Sequence, residues 1–539
     1  MSTTLPPSPA LFETPPAQPS VPSGGRPVES RDPATGEVWK SYTALSATEV
    51  TAAVAKARAA LPAWAATPLG SRLRLLRRFH EVLYRRRHDV AAVLTRENGK
   101  TASEAFSTEI ATALDFANYY ARVTPRFLRP SWKMGLSMAM KRKRVRVLHE
   151  PFGVIGIIAP WNYPFMLPAA EMLPALATGN VVLLKPSEFT PTTGALLGEL
   201  FAEAGAPDGV VTILQGDGST GAALANADID KMFFTGSVAT GRKVAVACSQ
   251  RLIPSSLELG GSDAAIVLAD ANIHHAALGV AWGRFSNAGQ TCVAPKRVFV
   301  EAPVYDAFVT ELAKVVNALR VGAGTSADTD VTGVIRPASV ATLTAQRDDA
   351  TARGARIVAQ AQAPAGSHYF APTVLADVPA DARVLNEETF GPLLPVVKVR
   401  DADDAVARAN ASEFGLSGSV WSRDTGKATA LAARLETGSV TINDAIVAPG
   451  MVEVPHGGVK TSGAGRTHGM EGLAECVRTK TVIADWFSGW RQAWWYGYSA
   501  SHAAGLDAFV RFSHSPSLIE RLMAIPPFLR ILLAPKRPL

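Results

Sequence analysis

Two residues in this chain of 539 have the type and setting to do chemistry. Cys292 closes the run Asn287-Ala-Gly-Gln-Thr-Cys292, whose small and polar residues leave a thiol approachable. Upstream, Glu258 lies in Leu257-Glu-Leu-Gly-Gly261, where apolar neighbours and glycines desolvate a carboxylate and raise its pKa. A thiol can attack an electrophilic carbon, and such a carboxylate can act as a general base. No histidine motif accompanies them, which points away from papain-type proteolysis. Two further segments look like ligand cradles. Lys185-Pro-Ser-Glu188 follows an apolar run, and Phe234-Thr-Gly-Ser-Val-Ala-Thr-Gly241 opens a helix with glycines at 236 and 241. The free N–H groups at such a helix start favour phosphate, but without a GxGxxG fingerprint the segment taken alone reads first as a turn with close packing.

The composition narrows what these residues can belong to. With 47% hydrophobic and 19% charged residues, the chain can bury two or three large cores and is neither disordered, collagen-like nor a disulfide scaffold. Lys and Arg number 54 against 47 Asp and Glu, and the net charge of +7 gives no support to nucleic-acid binding. Cys248, Cys292 and Cys476 are far apart and form no CxxC pair, so neither structural disulfides nor a metal site is expected. Cys248 and Cys476 read as small buried hydrophobes. There is no signal-peptide pattern and no stretch approaching 18 apolar residues, so a cytoplasmic chain is expected.

The elements that must position the site are legible in outline. Residues 1–27 hold 8 of the 37 prolines and read as a flexible arm. Ser46-Ala-Thr-Glu49 is a capping box that starts a helix, and helical patterning continues to about residue 125. Lys141–Val147 reads as a short basic edge strand. From Gly153 the apolar runs Val154-Ile-Gly-Ile-Ile, Val181-Val-Leu-Leu, Val210-Val-Thr-Ile-Leu and Met232-Phe-Phe alternate with helical segments. Such runs imply βαβ units and a parallel sheet covered on both faces. A second alternation begins at Ala264, giving two α/β domains. Parallel sheets bind ligands beyond the carboxyl ends of their strands, where both cradle segments fall. The last 55 residues differ: they hold Trp486, Trp490, Trp494 and Trp495, with six Lys or Arg and three acids. Ile525-Pro-Pro-Phe-Leu-Arg-Ile-Leu-Leu is too short to span a bilayer. This tail suits peripheral contact with a membrane interface or packing on a partner subunit, and both stay open.

Together with Pro160-Trp-Asn-Tyr-Pro164, Glu388-Thr-Phe-Gly-Pro392 and Pro455-His-Gly-Gly-Val-Lys-Thr-Ser-Gly463, these motifs resemble the NAD(P)-dependent aldehyde dehydrogenase superfamily. The resemblance runs in order from Asp32-Pro-Ala-Thr-Gly-Glu to Thr481. It implies an α/β fold with a Rossmann-like cofactor domain over 28–130 and 152–258 and a catalytic domain over 259–455. A bridging, oligomerising element would use 131–151 and 456–484, and 485–539 would be an extension. The implied reaction is oxidation of an aldehyde to its acid with NAD. Cys292 would be the nucleophile, the Asn162 amide and the Cys292 N–H would hold the oxyanion, and Glu258 would activate water.

The same resemblance assigns the cofactor residues. Lys185 and Glu188 would take the adenosine ribose, Ser187 and Trp161 would line its site, and Ser237 after Gly236 would meet the pyrophosphate. Glu388 would hold the nicotinamide ribose and Phe390 would pack beside the ring, with Gly216 and Gly260 nearby. A carboxylate at 188 disfavours a 2′-phosphate, so NAD is expected over NADP. The substrate tunnel would be lined by Tyr163, Leu167, Ala170, Ser286, Thr291, Val293 and His456. Small residues at 170 and 286 suggest room for long or bulky apolar aldehydes. His456, Glu171 and Thr467 depart from residues common in the superfamily, where Phe, Lys and an acid stand. A CoA-acylating relative and a non-catalytic scaffold are the alternatives, and Glu258 argues against the first. A homodimer or homotetramer is expected.

Overall fold

A computed structural model of the chain describes residues 26–135, 140, 141, 143–486, 492 and 494–533. Most of the proline-rich arm expected over 1–27 lies outside them, although Pro27 already begins a strand, Pro27–Arg31, paired with Val38–Thr43. Two compact units result: Met1–Phe127 with Pro151–Val477, and Leu128–Glu150 with Arg478–Leu539.

The larger unit contains two mixed sheets. In the first, Val154–Ile158 is central, flanked on one side by Val181–Lys185 and Val211–Ile213 and on the other by Lys231–Thr235 and Ser255–Glu258. These five strands are parallel, and every residue of Val154–Ile158 and Val181–Lys185 is buried. That two-sided burial is why they read as unbroken apolar runs. The chain leaves Val154–Ile158 toward one side and returns for Lys231–Thr235 on the other. This reversal opens a crevice between the two strands at their carboxyl ends. The Ser46 capping box is formed and starts the Ala47–Ala66 helix, which packs with Leu69–Arg85 and Ala111–Phe127 into the first core.

The second sheet carries Thr373–Ala376, Leu393–Val399, Pro295–Glu301, Asp263–Val267, Gly418–Trp421 and Thr441–Ile442 in parallel, in that spatial order. Arg356–Gln360 adds an antiparallel edge. Residues 456–477, expected in a bridging element, belong to the larger unit instead. Gly463–Ala464 pairs antiparallel with Ser255–Glu258, and His456 exchanges backbone hydrogen bonds of 2.8 Å with Thr467. The glycines of this stretch let it fold against the first sheet, where a longer strand would pass by.

The smaller unit has a three-stranded sheet in which Lys143–Pro151 lies between Ser131–Met134, with which it pairs antiparallel, and Val477–Asp485. Three helices follow, Ala500–His514, Leu518–Met523 and Ile525–Leu533. Phe528 stacks on Phe512 and meets Phe509 at 5.2 Å, which joins the first and third helices. Among the described residues no helix is long and apolar enough to cross a membrane.

Candidate active site

The turn before Cys292 is tightly wound. Asn287 and Ala288 both have φ of 52°, a left-handed backbone that costs an alanine about 1 kcal/mol or more. Hydrogen bonds hold it there. Glu104 Oε1 accepts from the Asn287 N–H at 2.7 Å, and the Asn287 amide donates to the Asn162 carbonyl at 2.9 Å. In return Asn162 Nδ2 donates to the Gln290 carbonyl at 3.0 Å, which leaves its second N–H for a ligand. The Asn162 carbonyl also takes a short hydrogen bond from Lys100 Nζ, and Lys100 is paired with Glu109 at 3.1 Å. Both side chains are fully buried. Glu109 Oε2 in turn accepts from the Phe165 and Met166 N–H groups at the start of the Met166–Thr178 helix.

Cys292, Glu258 and Asn162 line one cleft, of about 1000 Å³, that opens to solvent. Its walls also include Trp161, Gly260, Glu388 and Phe390, and at the far side Leu167, Ala170, Glu171, His456, Thr467 and His468. Burial pushes the Cys292 thiol up to about 12; Lys296 pulls it down, and Asp263, Glu258 and Glu388 push it up further. Lys296 Nζ donates to the Cys292 carbonyl at 2.7 Å and pairs with Glu388 at 3.1 Å. Glu258 is raised well above the usual carboxylate range, first by burial and then by the neighbouring Glu171, with Arg466 opposing. Its Oε2 has no hydrogen-bond partner among the described residues. Glu171 is pushed up to about 8 by burial, opposed by a 3.3 Å hydrogen bond from Thr235 Oγ1 and by Lys231. Thr235 stands beside Glu258 in the register of their parallel strands, so both carboxyl groups reach the cavity over the same pair of strand ends. The His456 and His468 rings stack at 5.2 Å, and burial holds both below their usual pKa, His456 at about 4.

A second cleft lies at the crevice of the first sheet and shares Pro160, Trp161, Thr235, Gly236, Ser237 and Arg336 with the first. Lys185, Ser187 and Glu188 line it, and Lys185 Nζ pairs with Glu188 Oε2 at 3.2 Å. Ser237 caps the Val238–Gln250 helix, whose first N–H groups face an anion there favourably. Gly260 allows a close approach: a Cβ at that position would overlap the Glu388 carboxylate, which accepts from the Gly261 N–H at 3.1 Å. A Lys–Glu pair, a helix start and an edge-to-face Trp161–Phe390 corner, with rings 5.5 Å apart, together leave room of a shape that suits an extended dinucleotide.

Not every expected residue meets these clefts. Gly216 lies outside both, and its absent side chain makes room for Thr220. Of the expected tunnel, Leu167, Ala170 and His456 line the cavity. Tyr163, Thr291, Val293 and Ser286 do not, because their side chains turn to internal partners. The Tyr163 hydroxyl bonds Thr291 at 2.8 Å under Lys100, Val293 is buried, and Ser286 donates to the Trp282 carbonyl at 2.7 Å. Conversely, His468, Arg336 and Lys100 belong to the site or its support with no local signal in the sequence. Lys296, also missed, carries one, as a charge inside the wholly buried strand Pro295–Glu301.

The aldehyde dehydrogenase family model matches residues 21–482. A Mycobacterium ulcerans (strain Agy99) protein, named provisionally as an NADP(+) succinate-semialdehyde dehydrogenase, is 37% identical over 83% of this chain and 86% of its own. The 4,4'-diapolycopene aldehyde oxidase of a Methylomonas species is 37% identical over 86% of this chain and 87% of its own. Among solved structures, a Mycobacterium tuberculosis aldehyde dehydrogenase complexed with NAD+ superposes with a TM-score of 0.83 at 33% identity, covering 88% of this chain and 97% of that one. Sequence, fold and cleft agree, and the chain belongs to the aldehyde dehydrogenase family, as an NAD(P)-dependent oxidoreductase.

Proposed function

We propose that the protein oxidises an uncharged, apolar aldehyde, long or bulky, to its carboxylic acid through a covalent Cys292 adduct, with NAD preferred over NADP. The observation that carries this reading is the convergence of Cys292, Glu258 and Asn162 on one cleft that continues into the strand-end crevice. The Cys292 thiol gives up its proton to water, the thiolate sulfur forms a bond to the aldehyde carbon, and the carbonyl oxygen takes up negative charge. The free N–H of Asn162 and the Cys292 backbone N–H receive that charge, each worth roughly 3 kcal/mol to the transition state. Lys185, Ser187, Glu188 and Ser237 would hold NAD, with Glu388 and Phe390 at the nicotinamide end, and the bound NAD would accept the hydride that leaves the former aldehyde carbon. What remains on Cys292 is a thioester. Glu258 then takes a proton from water as the water attacks the acyl carbon, and Cys292 leaves as thiolate.

Glu188 supports the NAD preference, since a carboxylate beside the ribose repels a 2′-phosphate. The far wall supports an uncharged substrate. Leu167, Ala170, His456, Thr467 and His468 line the cleft together with the carboxyl group of Glu171, which disfavours an anionic substrate. Within this reading the cofactor domain comprises 28–130 and 152–258 and the catalytic domain 259–455. The exposed Trp132, Val482 and Ile483 of the small sheet support homodimer or homotetramer assembly through it.

The test is NADH formation across aldehydes of rising length and ring size, beside Cys292→Ala. Rates that grow with substrate size and vanish in the variant are expected. Activity confined to short aldehydes would remove the large substrate, and turnover surviving in Cys292→Ala would remove the covalent route.

A further inference from the structure

The tail beyond Asp485 takes no part in the chemistry above, and the charge of the chain is concentrated where it lies. Leu128–Glu150 and Arg478–Leu539 together hold 15 Lys and Arg against 4 Asp and Glu, a net +11. The whole chain carries +7, so the larger unit is left at −4. Five of the ten tryptophans fall in the same segments: Trp132, Trp486, Trp490, Trp494 and Trp495. Three of them sit under cations. Arg144 lies over the Trp486 ring at 3.2 Å, Arg146 over Trp132 at 5.2 Å and Lys143 over Trp494 at 5.6 Å.

The helix Leu518–Met523 buries none of its residues. Leu518, Ile519, Leu522 and Met523 occupy positions that share one face of it, and they are 58–71% exposed. Arg521 flanks that face, and its Nε anchors to the Ser515 carbonyl at 2.5 Å. The two acids of these helices are engaged: Asp507 pairs with Arg511 at 2.9 Å and Glu520 accepts from Ser515 at 2.6 Å. An apolar ridge on a strongly cationic, tryptophan-rich unit has the makeup of an interfacial element that inserts side chains at headgroup depth.

We propose that this smaller unit docks the enzyme on the surface of an anionic lipid bilayer, with the Leu518–Met523 ridge inserted and the surrounding Lys and Arg on the headgroups. It lies on the bilayer and does not cross it, as no described helix is long and apolar enough to span. Charge decides against other occupants. A second copy docking ridge on ridge would set the two Arg521 side chains against each other, and the assembly proposed through the small sheet uses other residues, Trp132, Val482 and Ile483. A nucleic acid would satisfy the cations but leave four large apolar side chains facing phosphate. The proposal does not depend on the identity of the aldehyde.

The experiment is co-sedimentation of the full-length protein with phosphatidylcholine vesicles, with and without phosphatidylglycerol, at low and high salt. Binding at low salt that is ~10-fold stronger on the anionic vesicles, and released by salt, is expected. Leu518→Asp with Leu522→Asp should lower that binding by ~10-fold. NADH formation by the variant should stay at the wild-type rate, since neither residue touches the clefts. Wild-type protein that ignores anionic vesicles, or binds both compositions alike, overturns the proposal whatever the variant does. So does binding to duplex DNA as tight as to vesicles. A variant that loses its oligomeric state while keeping vesicle binding would assign the ridge to a second copy instead.

Discussion

Glu171 and Glu258 reach the same cavity from different elements, one from the Met166–Thr178 helix and one from the end of a strand. Burial raises each of them, and the charge of Glu171 raises Glu258 further. Deprotonation of Glu258 and of the Cys292 thiol therefore limits activity at neutral pH, and kcat/KM should climb between pH 7 and 9. Above about 8 Glu171 is itself ionised and repels the charge that Glu258 must take. Glu171→Gln removes that repulsion, so Glu258 loses its proton at lower pH. The rising limb of the profile should move down by ~0.5–1 unit. The same substitution bears on substrate charge. For succinate semialdehyde relative to pentanal, the ratio of kcat/KM values should rise ~10-fold in Glu171→Gln, because a distal carboxylate no longer meets a like charge. An effect confined to packing would lower both substrates in proportion and leave the pH limb where it was. Paired steady-state measurements across pH distinguish the two.

At the scale of elements, the Lys100–Glu109 pair joins the helix start at Met166 to the loop that carries Asn162. Neither charge reaches water, so each depends on the other and on fixed neighbours: backbone groups for both, with Asn98 Oδ1 and the Tyr163 ring beside Lys100. Removing one partner strands the other. Lys100→Met should cost about 3–5 kcal/mol and a clear fall in Tm, whereas Lys100→Met with Glu109→Leu should recover much of it. Thermal melts of the two variants check this. Both should show a reduced kcat, as the Asn162 carbonyl loses the cation that fixes it. The pair also marks where sequence reading stops. Val154–Ile158 and Val181–Lys185 were legible because a strand buried on both faces writes itself as an apolar run, and Ser46 because a cap acts over three residues. Cys292 and Glu258 announce themselves through local small-residue settings. Lys100 touches Asn162 across 62 positions, and His468 reaches the cavity only because His456 and Thr467 pair, so nothing local reveals either. The same limit explains Tyr163 and Ser286: proximity in the chain to cavity residues did not say which way their side chains turn.

At the scale of the whole molecule, one net charge concealed two opposed regions, and buried ionisable groups set the response to pH. Asp263 is pushed up to about 7 and Glu171 to about 8, each first by burial. In the unfolded chain both would titrate near 4. Between those values the folded state holds more protons than the unfolded one, so these carboxyl groups make stability fall as pH rises through about 4 to 8. His456, held at about 4, and His468, lowered by burial, work in the opposite sense. Below about 6.5 the unfolded imidazoles bind protons that the folded ones refuse, so stability rises with pH there. The two effects oppose one another in acid, but above 6.5 only the carboxyl groups still act. Tm should therefore change little in mild acid and decline between pH 6.5 and 8.5. Scanning calorimetry across that range checks the decline, and Glu171→Gln should lessen it because one of the raised carboxyl groups no longer titrates. A Tm that keeps rising to pH 8.5 in the wild type would mean that these carboxyl groups are ionised in the folded enzyme, and that water or cations reach the cavity floor at neutral pH.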